Sequence, residues 1–168
     1  MAPLILILGG ARSGKSRRAE RLIAEYPPPW IYLATSEPLD DEMRARIAEH
    51  RERRDARWRT IEAPHALAEA VQDAPADRPL LIDCLTLWLS NRLLADADVE
   101  QDIAGLIDAL DARSGPTLVV SNEVGLGIVP DNALARRFRD AAGLANQAIA
   151  ARADRVEFIA AGLPLRLK

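Results

Sequence analysis

Apolar residues fall along this chain in two alternating rhythms. Residues 4–8 form an unbroken apolar run, and Trp30–Ala34, Leu80–Asp83 and residues 117–120 repeat it. Short continuous runs bounded by breakers predict strands buried on both faces, as parallel strands are. Between them the spacing turns helical. Residues 16–26 place Ala19, Leu22, Ile23 and Tyr26 on one face, and Pro27-Pro28-Pro29 stops that helix. Residues 39–54 repeat Leu39, Met43 and Ile47 at every fourth position, the stripe of an amphipathic helix. Its first turn carries Asp40, Asp41 and Glu42 and its last carries Arg51, Arg53 and Arg54, matching the helix dipole at both ends. Trp58–Glu62 reads as a short strand, 64–71 as a short helix, and 73–78 as a loop. Leu85–Leu94 is a largely apolar helix, 99–112 an amphipathic one, and 132–153 a long one with Asn132 at its N-cap. Arg155–Ala160 and residues 164–167 flank Ala161-Gly162-Leu163, which predicts a closing antiparallel hairpin. The fold class is therefore α/β: one domain over 1–168, a mostly parallel sheet with helices on both faces. Ligands of such sheets bind at the carboxyl ends of the strands.

Composition narrows the partners. A net charge of −3 gives no footprint for a nucleic acid. The one cysteine, Cys84, excludes an internal disulfide, fits a reducing cytoplasm, and lies in an apolar stretch where it reads as a small buried hydrophobe. The apolar run at 4–8 lacks a basic flank and is too short for a leader, and no stretch is long enough to span a membrane.

Gly9-Gly10-Ala11-Arg12-Ser13-Gly14-Lys15-Ser16 joins the first strand to the first helix. This G-x-x-x-x-G-K-S pattern is a P-loop, whose backbone N–H groups cradle phosphates at a helix N-terminus. In it Lys15 reaches the β/γ-phosphates and the Ser16 hydroxyl meets Mg²⁺. Lysine is otherwise spared, since Lys168 is the only other one. Asp83 closes an apolar strand, where it either holds Mg²⁺ or caps the helix that follows. The ends Ala34-Thr35-Ser36, Asp83 and Asn122-Glu123 all fall on the P-loop side of the sheet.

Two histidines remain. His50 extends the stripe of the 39–54 helix, with Arg46 and Arg54 four residues to either side. It reads either as a packed or solvated residue or as a nucleophile kept neutral by those arginines. His65, at a helix start, carries no visible chemistry. Arg51, Glu52, Arg53 and Arg54 form a solvated helix end or a grip on a nucleotide. Glu62 pairs with an arginine or accepts hydrogen bonds from a guanine edge.

These segments together resemble the bifunctional adenosylcobinamide kinase / adenosylcobinamide-phosphate guanylyltransferase family. The resemblance rests on the P-loop with Arg17, Ala34-Thr35-Ser36, Asp40-Asp41-Glu42-Met43, Arg46-Ile47, His50-Arg51, Trp58-Arg59-Thr60 and Glu62. Asn122-Glu123-Val124-Gly125, Gly127-Ile128-Val129-Pro130, Phe138-Arg139-Asp140, Gly143 and Asn146-Gln147 extend it to the end of the chain. It implies a RecA-like P-loop NTPase fold and two reactions in cobalamin biosynthesis. The first phosphorylates the aminopropanol hydroxyl of adenosylcobinamide with ATP or GTP. The second transfers GMP from GTP to adenosylcobinamide phosphate through a GMP–histidine intermediate. The resemblance places the guanylylated histidine at His50 and nucleotide contacts at residues 9–16, 34–36, 51–54, Glu62 and Asp83. Some relatives have a histidine pair where this chain has Glu49-His50, which leaves one candidate. Family members assemble as oligomers, trimers being the expectation. The rivals are a single-function P-loop small-molecule kinase, a nucleotide-dependent regulatory module, and a RecA-like motor, which a basic surface would favour.

Overall fold

The computed structural model describes residues 2–52 and 54–168, apart from the side chains of Glu42 and Arg46. Strands β1 (Leu4–Gly9), β2 (Trp30–Ala34), β3 (Trp58–Glu62), β4 (Leu80–Asp83), β5 (Thr117–Asn122), β6 (Arg155–Ala160) and β7 (Leu163–Arg166) form one sheet. Its order is β3-β2-β4-β5-β1-β6-β7. All neighbours run parallel except β6 and β7, the predicted hairpin. The helices are α1 (Lys15–Ile23), α2 (Asp41–Glu52), α3 (Leu67–Asp73), α4 (Leu85–Leu94), α5 (Val99–Asp111) and α6 (Ala133–Arg152).

Side-chain alternation along the strands splits the core into two layers. Leu6, Leu33, Ile82 and Val119 face α3, α4, α5 and α6, where Leu67, Trp88, Leu89, Leu106 and Ile149 are buried against them. Ile5, Ile7, Leu81, Leu118 and Val120 face the other way, against Ala19, Leu22 and Ile23 of α1. Each such Leu or Ile contributes about 1.5–3 kcal/mol by leaving water. Beyond α1, that second face over β2 and β3 is closed by side chains. Trp58 meets Trp30 at 5.1 Å and stands edge-on to Tyr32 at 6.0 Å, while Arg57 lies 4.8 Å over the Trp30 ring.

Three details depart from the sequence expectation. Helix α3 starts at Leu67 rather than residue 64, because 64–66 form a turn closed by the Leu67 N–H to the His65 carbonyl at 3.0 Å. Helix α1 ends at Ile23, and its last turn tightens before the prolines through the Tyr26 N–H to the Ile23 carbonyl at 3.0 Å. Helix α2 starts at Asp41, with the Asp40 carboxylate accepting from the Met43 N–H at 2.7 Å. Leu39 is thereby left outside the helix and 71% exposed, so it does not belong to a buried stripe. None of the described α2 side chains is buried.

Buried charge is fastened in two places. Arg113 donates to the carbonyls of Val71, Pro75 and Arg78 and to the Thr117 hydroxyl, stapling the 73–79 loop to β5. Glu157 on β6, 1% exposed, receives Arg18 at 2.8 and 2.9 Å and also Arg155. Among the described residues no helix is long and apolar enough to cross a membrane.

Candidate active site

The carboxyl ends of β1, β5, β4, β2 and β3 border a single cleft of about 1260 Å³. Four strand spacings separate β1 from β3, a span of roughly 19 Å. At one end lies the P-loop. Gly14 enters the left-handed region at φ 100° to start α1, and the Arg18 N–H returns to its carbonyl at 3.0 Å. At Gly9 a Cβ would lie 2.5 Å from the Ile159 carbonyl of β6, so only glycine lets the loop pass so close to that strand. The hairpin turn braces the loop from the side: the Gly162 N–H donates 2.9 Å to the Ser13 carbonyl. Lys15 is 7% exposed, and its ammonium donates 2.5 Å to the Gly10 carbonyl. That contact keeps the charge folded over the loop.

Asp83, Ser36 and Ala34 line the middle of the cleft. Asp83 Oδ2 accepts from the Tyr32 hydroxyl at 3.1 Å. Burial first, then the Asp83 charge, push the Tyr32 phenol well above its usual pKa, so it stays a donor. The α4 N-cap is Cys84, without a side-chain cap bond, so Asp83 does not cap that helix. Cys84 is buried as expected, and burial raises its thiol pKa.

The far end belongs to α2 and β3. His50, Arg51, Glu52 and Arg54 line the same cleft as Lys15, as does Glu62. Arg51 pairs with Glu62, tying the end of α2 to the end of β3. The Arg54 guanidinium lies 3.8 Å over the Tyr32 ring. Met43 and Ile47 also face the cleft, which explains an apolar stripe on a helix that buries none of it in the core.

A family model described as cobinamide kinase / cobinamide phosphate guanyltransferase matches residues 5–167. The chain belongs to this family. It is 54% identical over 166 residues to the bifunctional adenosylcobalamin biosynthesis protein CobP of Pseudomonas aeruginosa, covering 97% of this chain and 96% of that one. It is 41% identical over 181 residues to the bifunctional adenosylcobalamin biosynthesis protein CobU of Salmonella typhimurium, covering 98% and 99%. Two solved structures share its fold. One is an ATPase from the type III secretion system of pathogenic bacteria, at TM-score 0.56 and 12% identity over 93% of this chain and 50% of that one. The other is a KaiC-like protein from Pyrococcus horikoshii, at TM-score 0.50 and 14% identity over 93% and 71%. Both share with this cobinamide kinase / guanyltransferase family member the architecture of a mostly parallel sheet between helices.

Most of the residues singled out by sequence meet in the cleft: Ala11 to Ser16, Ala34, Ser36, His50, Arg51, Glu52, Arg54, Glu62 and Asp83. Gly9 and Gly10 shape the loop from behind and do not line it. Thr35 stands apart from expectation. Its side chain is fully buried, and its hydroxyl exchanges hydrogen bonds with the Cys84 carbonyl and N–H at 2.7 and 2.8 Å. That side chain holds the β4–α4 junction instead of facing a nucleotide. Arg53 and the Arg46 side chain lie outside the described residues. Sequence reasoning missed Tyr32, which looked like any aromatic in a buried strand. The available signal was register: Ala34 pairs with Asp83, so Tyr32 sits two residues back on the same face.

Proposed function

We propose that this chain phosphorylates the aminopropanol hydroxyl of adenosylcobinamide with ATP or GTP, and then transfers GMP from GTP to the product. One observation carries the reading: the P-loop lysine and His50 open onto one cleft in a member of this family. In the kinase step the acceptor oxygen bonds to the γ-phosphorus, the nucleoside diphosphate leaves, and the hydroxyl proton passes to solvent. In the transfer step a His50 ring nitrogen bonds to the α-phosphorus of GTP and pyrophosphate leaves. A phosphate oxygen of adenosylcobinamide phosphate then takes GMP, the P–N bond breaks, and the imidazole is restored.

Each residue has a part. Residues 9–16 and Lys15 hold the outer phosphates and stabilise charge on the leaving group. Arg51, Glu52, Arg53, Arg54, Glu62, Ala34 and Ser36 grip the rest of the nucleotide. Glu62 would accept from a guanine edge once Arg51 releases it. Ser16 and Asp83 offer a hydroxyl and a carboxylate on the same cleft, hard oxygen donors that suit Mg²⁺ carried mainly by phosphates and water. When bound there, Mg²⁺ neutralises phosphate charge.

The test uses GTP labelled at its α-phosphate. Wild type should retain acid-labile label, and His50→Ala should retain none while still phosphorylating adenosylcobinamide. A wild type without covalent label is a single-function kinase instead. Equal loss of both activities in His50→Ala would make His50 structural.

The chain acts in the cytoplasm, as its buried free thiol suits. It assembles as a homo-oligomer, a trimer. Supporting this, Leu163, Leu165 and Leu167 at the sheet edge and Ile128 nearby in sequence to Leu126 are exposed. Sedimentation equilibrium should give three times the chain mass, and Leu163→Lys with Leu165→Lys should lower it; a monomeric wild type overturns the assembly.

A further inference from the structure

Tyr32 stands where two halves of the cleft meet, and no role assigned above uses it. It is 4% exposed, in the centre of β2. Its hydroxyl donates 3.1 Å to Asp83, and its ring carries the Arg54 guanidinium at 3.8 Å. Both contacts have little redundancy. Asp83 ends its strand, where its carboxyl group can rotate about two bonds, and a fixed donor on one oxygen sets the direction of the other. Arg54 Nη1 is buried and has no hydrogen-bond partner among the described residues, while the guanidinium rests on the aromatic face. Trp58 stands edge-on to the same ring and limits its tilt.

We propose that Tyr32 is a positioning residue for both reactions: its hydroxyl aims Asp83 at the phosphate end, and its ring seats Arg54, two residues past the end of α2, the helix that bears His50. This rests on the function proposed above. A single side chain thus links the acid that serves both steps to the helix that serves only guanylyl transfer. Removing the hydroxyl and removing the ring should therefore have different consequences.

Tyr32→Phe keeps the ring and its packing, whereas Tyr32→Leu removes both contacts. GTP binding to each purified full-length variant is measured by calorimetry with Mg²⁺ and with EDTA. The initial rate of acid-labile GMP labelling is measured at saturating Mg²⁺ and GTP, and melting temperature is followed alongside. Tyr32→Phe should shrink the Mg²⁺-dependent gain in GTP affinity about tenfold, the scale of one hydrogen bond to a charged acceptor, with binding in EDTA unchanged. Tyr32→Leu should show the same loss and also label about fivefold more slowly than Tyr32→Phe, the scale of one cation–π contact. In an Asp83→Asn background, Tyr32→Phe should change the Mg²⁺ response no further. The idea is overturned by a wild-type Mg²⁺ response in Tyr32→Phe, by additive loss with Asp83→Asn, or by equal labelling rates in Tyr32→Leu and Tyr32→Phe. Should Tyr32→Leu melt below the assay temperature, the Tyr32→Phe cycle with Asp83→Asn still decides. A wild type that never takes up GMP sinks the transfer reaction itself and leaves the Asp83 measurement readable.

Discussion

Glu157 shows how a single residue outside the cleft fixes the strand behind it. Its buried carboxylate takes the fork of Arg18 from α1 and a second guanidinium from Arg155. The Arg18 hydrogen bonds, and after them Arg155, hold its pKa below the usual glutamate range against the opposing pull of burial. The group is charged in the native state at a pH where the unfolded chain would take up a proton. Its contribution is therefore complete above about pH 4.3, where an ordinary glutamate ionises, and is lost as acid carries the pH through the lower native value. Glu157→Gln should cost about 2–3 kcal/mol at neutral pH, below a fully buried pair because both arginines are partly exposed. Urea titration at pH 7 and pH 3 should show a larger deficit at the first than at the second. An equal deficit at both would deny the ion pair its role. At this scale the sequence was readable where chemistry has a fixed grammar. Lys15 and Ser16 line the cleft where their motif puts them, and His50 lines it too. Thr35 and Tyr32 were not readable, because what decides them is which way a strand-end side chain turns. A threonine beside a P-loop can face a nucleotide or brace a neighbouring backbone, and only the packing against Cys84 distinguishes these.

Helix α2 is the element whose physics is least like the rest. Its ends are marked as the charge pattern predicted, with Asp40 bonded at the start and Arg51 near the end. Its sequence shows an apolar stripe, and the period alone does not say what the stripe faces. The missing information was tertiary: the stripe needs a partner, and Met43 and Ile47 face the cleft. A helix that buries no described side chain lacks the core packing that holds α1 and α4. Amide hydrogen exchange in α2 should therefore be much faster than in α1 or α4, and should slow about tenfold or more when GTP and Mg²⁺ are added. Protection equal to that of α4 without nucleotide would show that the helix is seated by something else. The remaining elements were legible because apolar runs and breakers alternate sharply, and errors stayed at ends such as residues 64–66, where a proline permits either a helix start or a turn.

Across the whole molecule, the parallel order β3-β2-β4-β5-β1-β6 gathers the strand ends on one side, and the final hairpin doubles back to support the first loop. The alternation of strands and helices foretold the layers but not the strand order, which depends on crossovers that no local pattern records. The chain's two lysines occupy opposite situations in this arrangement. Lys15 is buried over the P-loop, whereas Lys168 lies exposed at the end of the chain against the Ala150 and Ala151 carbonyls. An acylating reagent that attacks amines consequently meets very little background on this surface. Peptide mass mapping should find Lys168 modified early and Lys15 late, with Lys15 protected further by GTP. If GTP leaves the Lys15 modification rate unaltered, its ammonium is not at the phosphates. The scarcity of lysine thus turns one side chain into a built-in occupancy gauge, readable without a dye, a tag or a turnover assay.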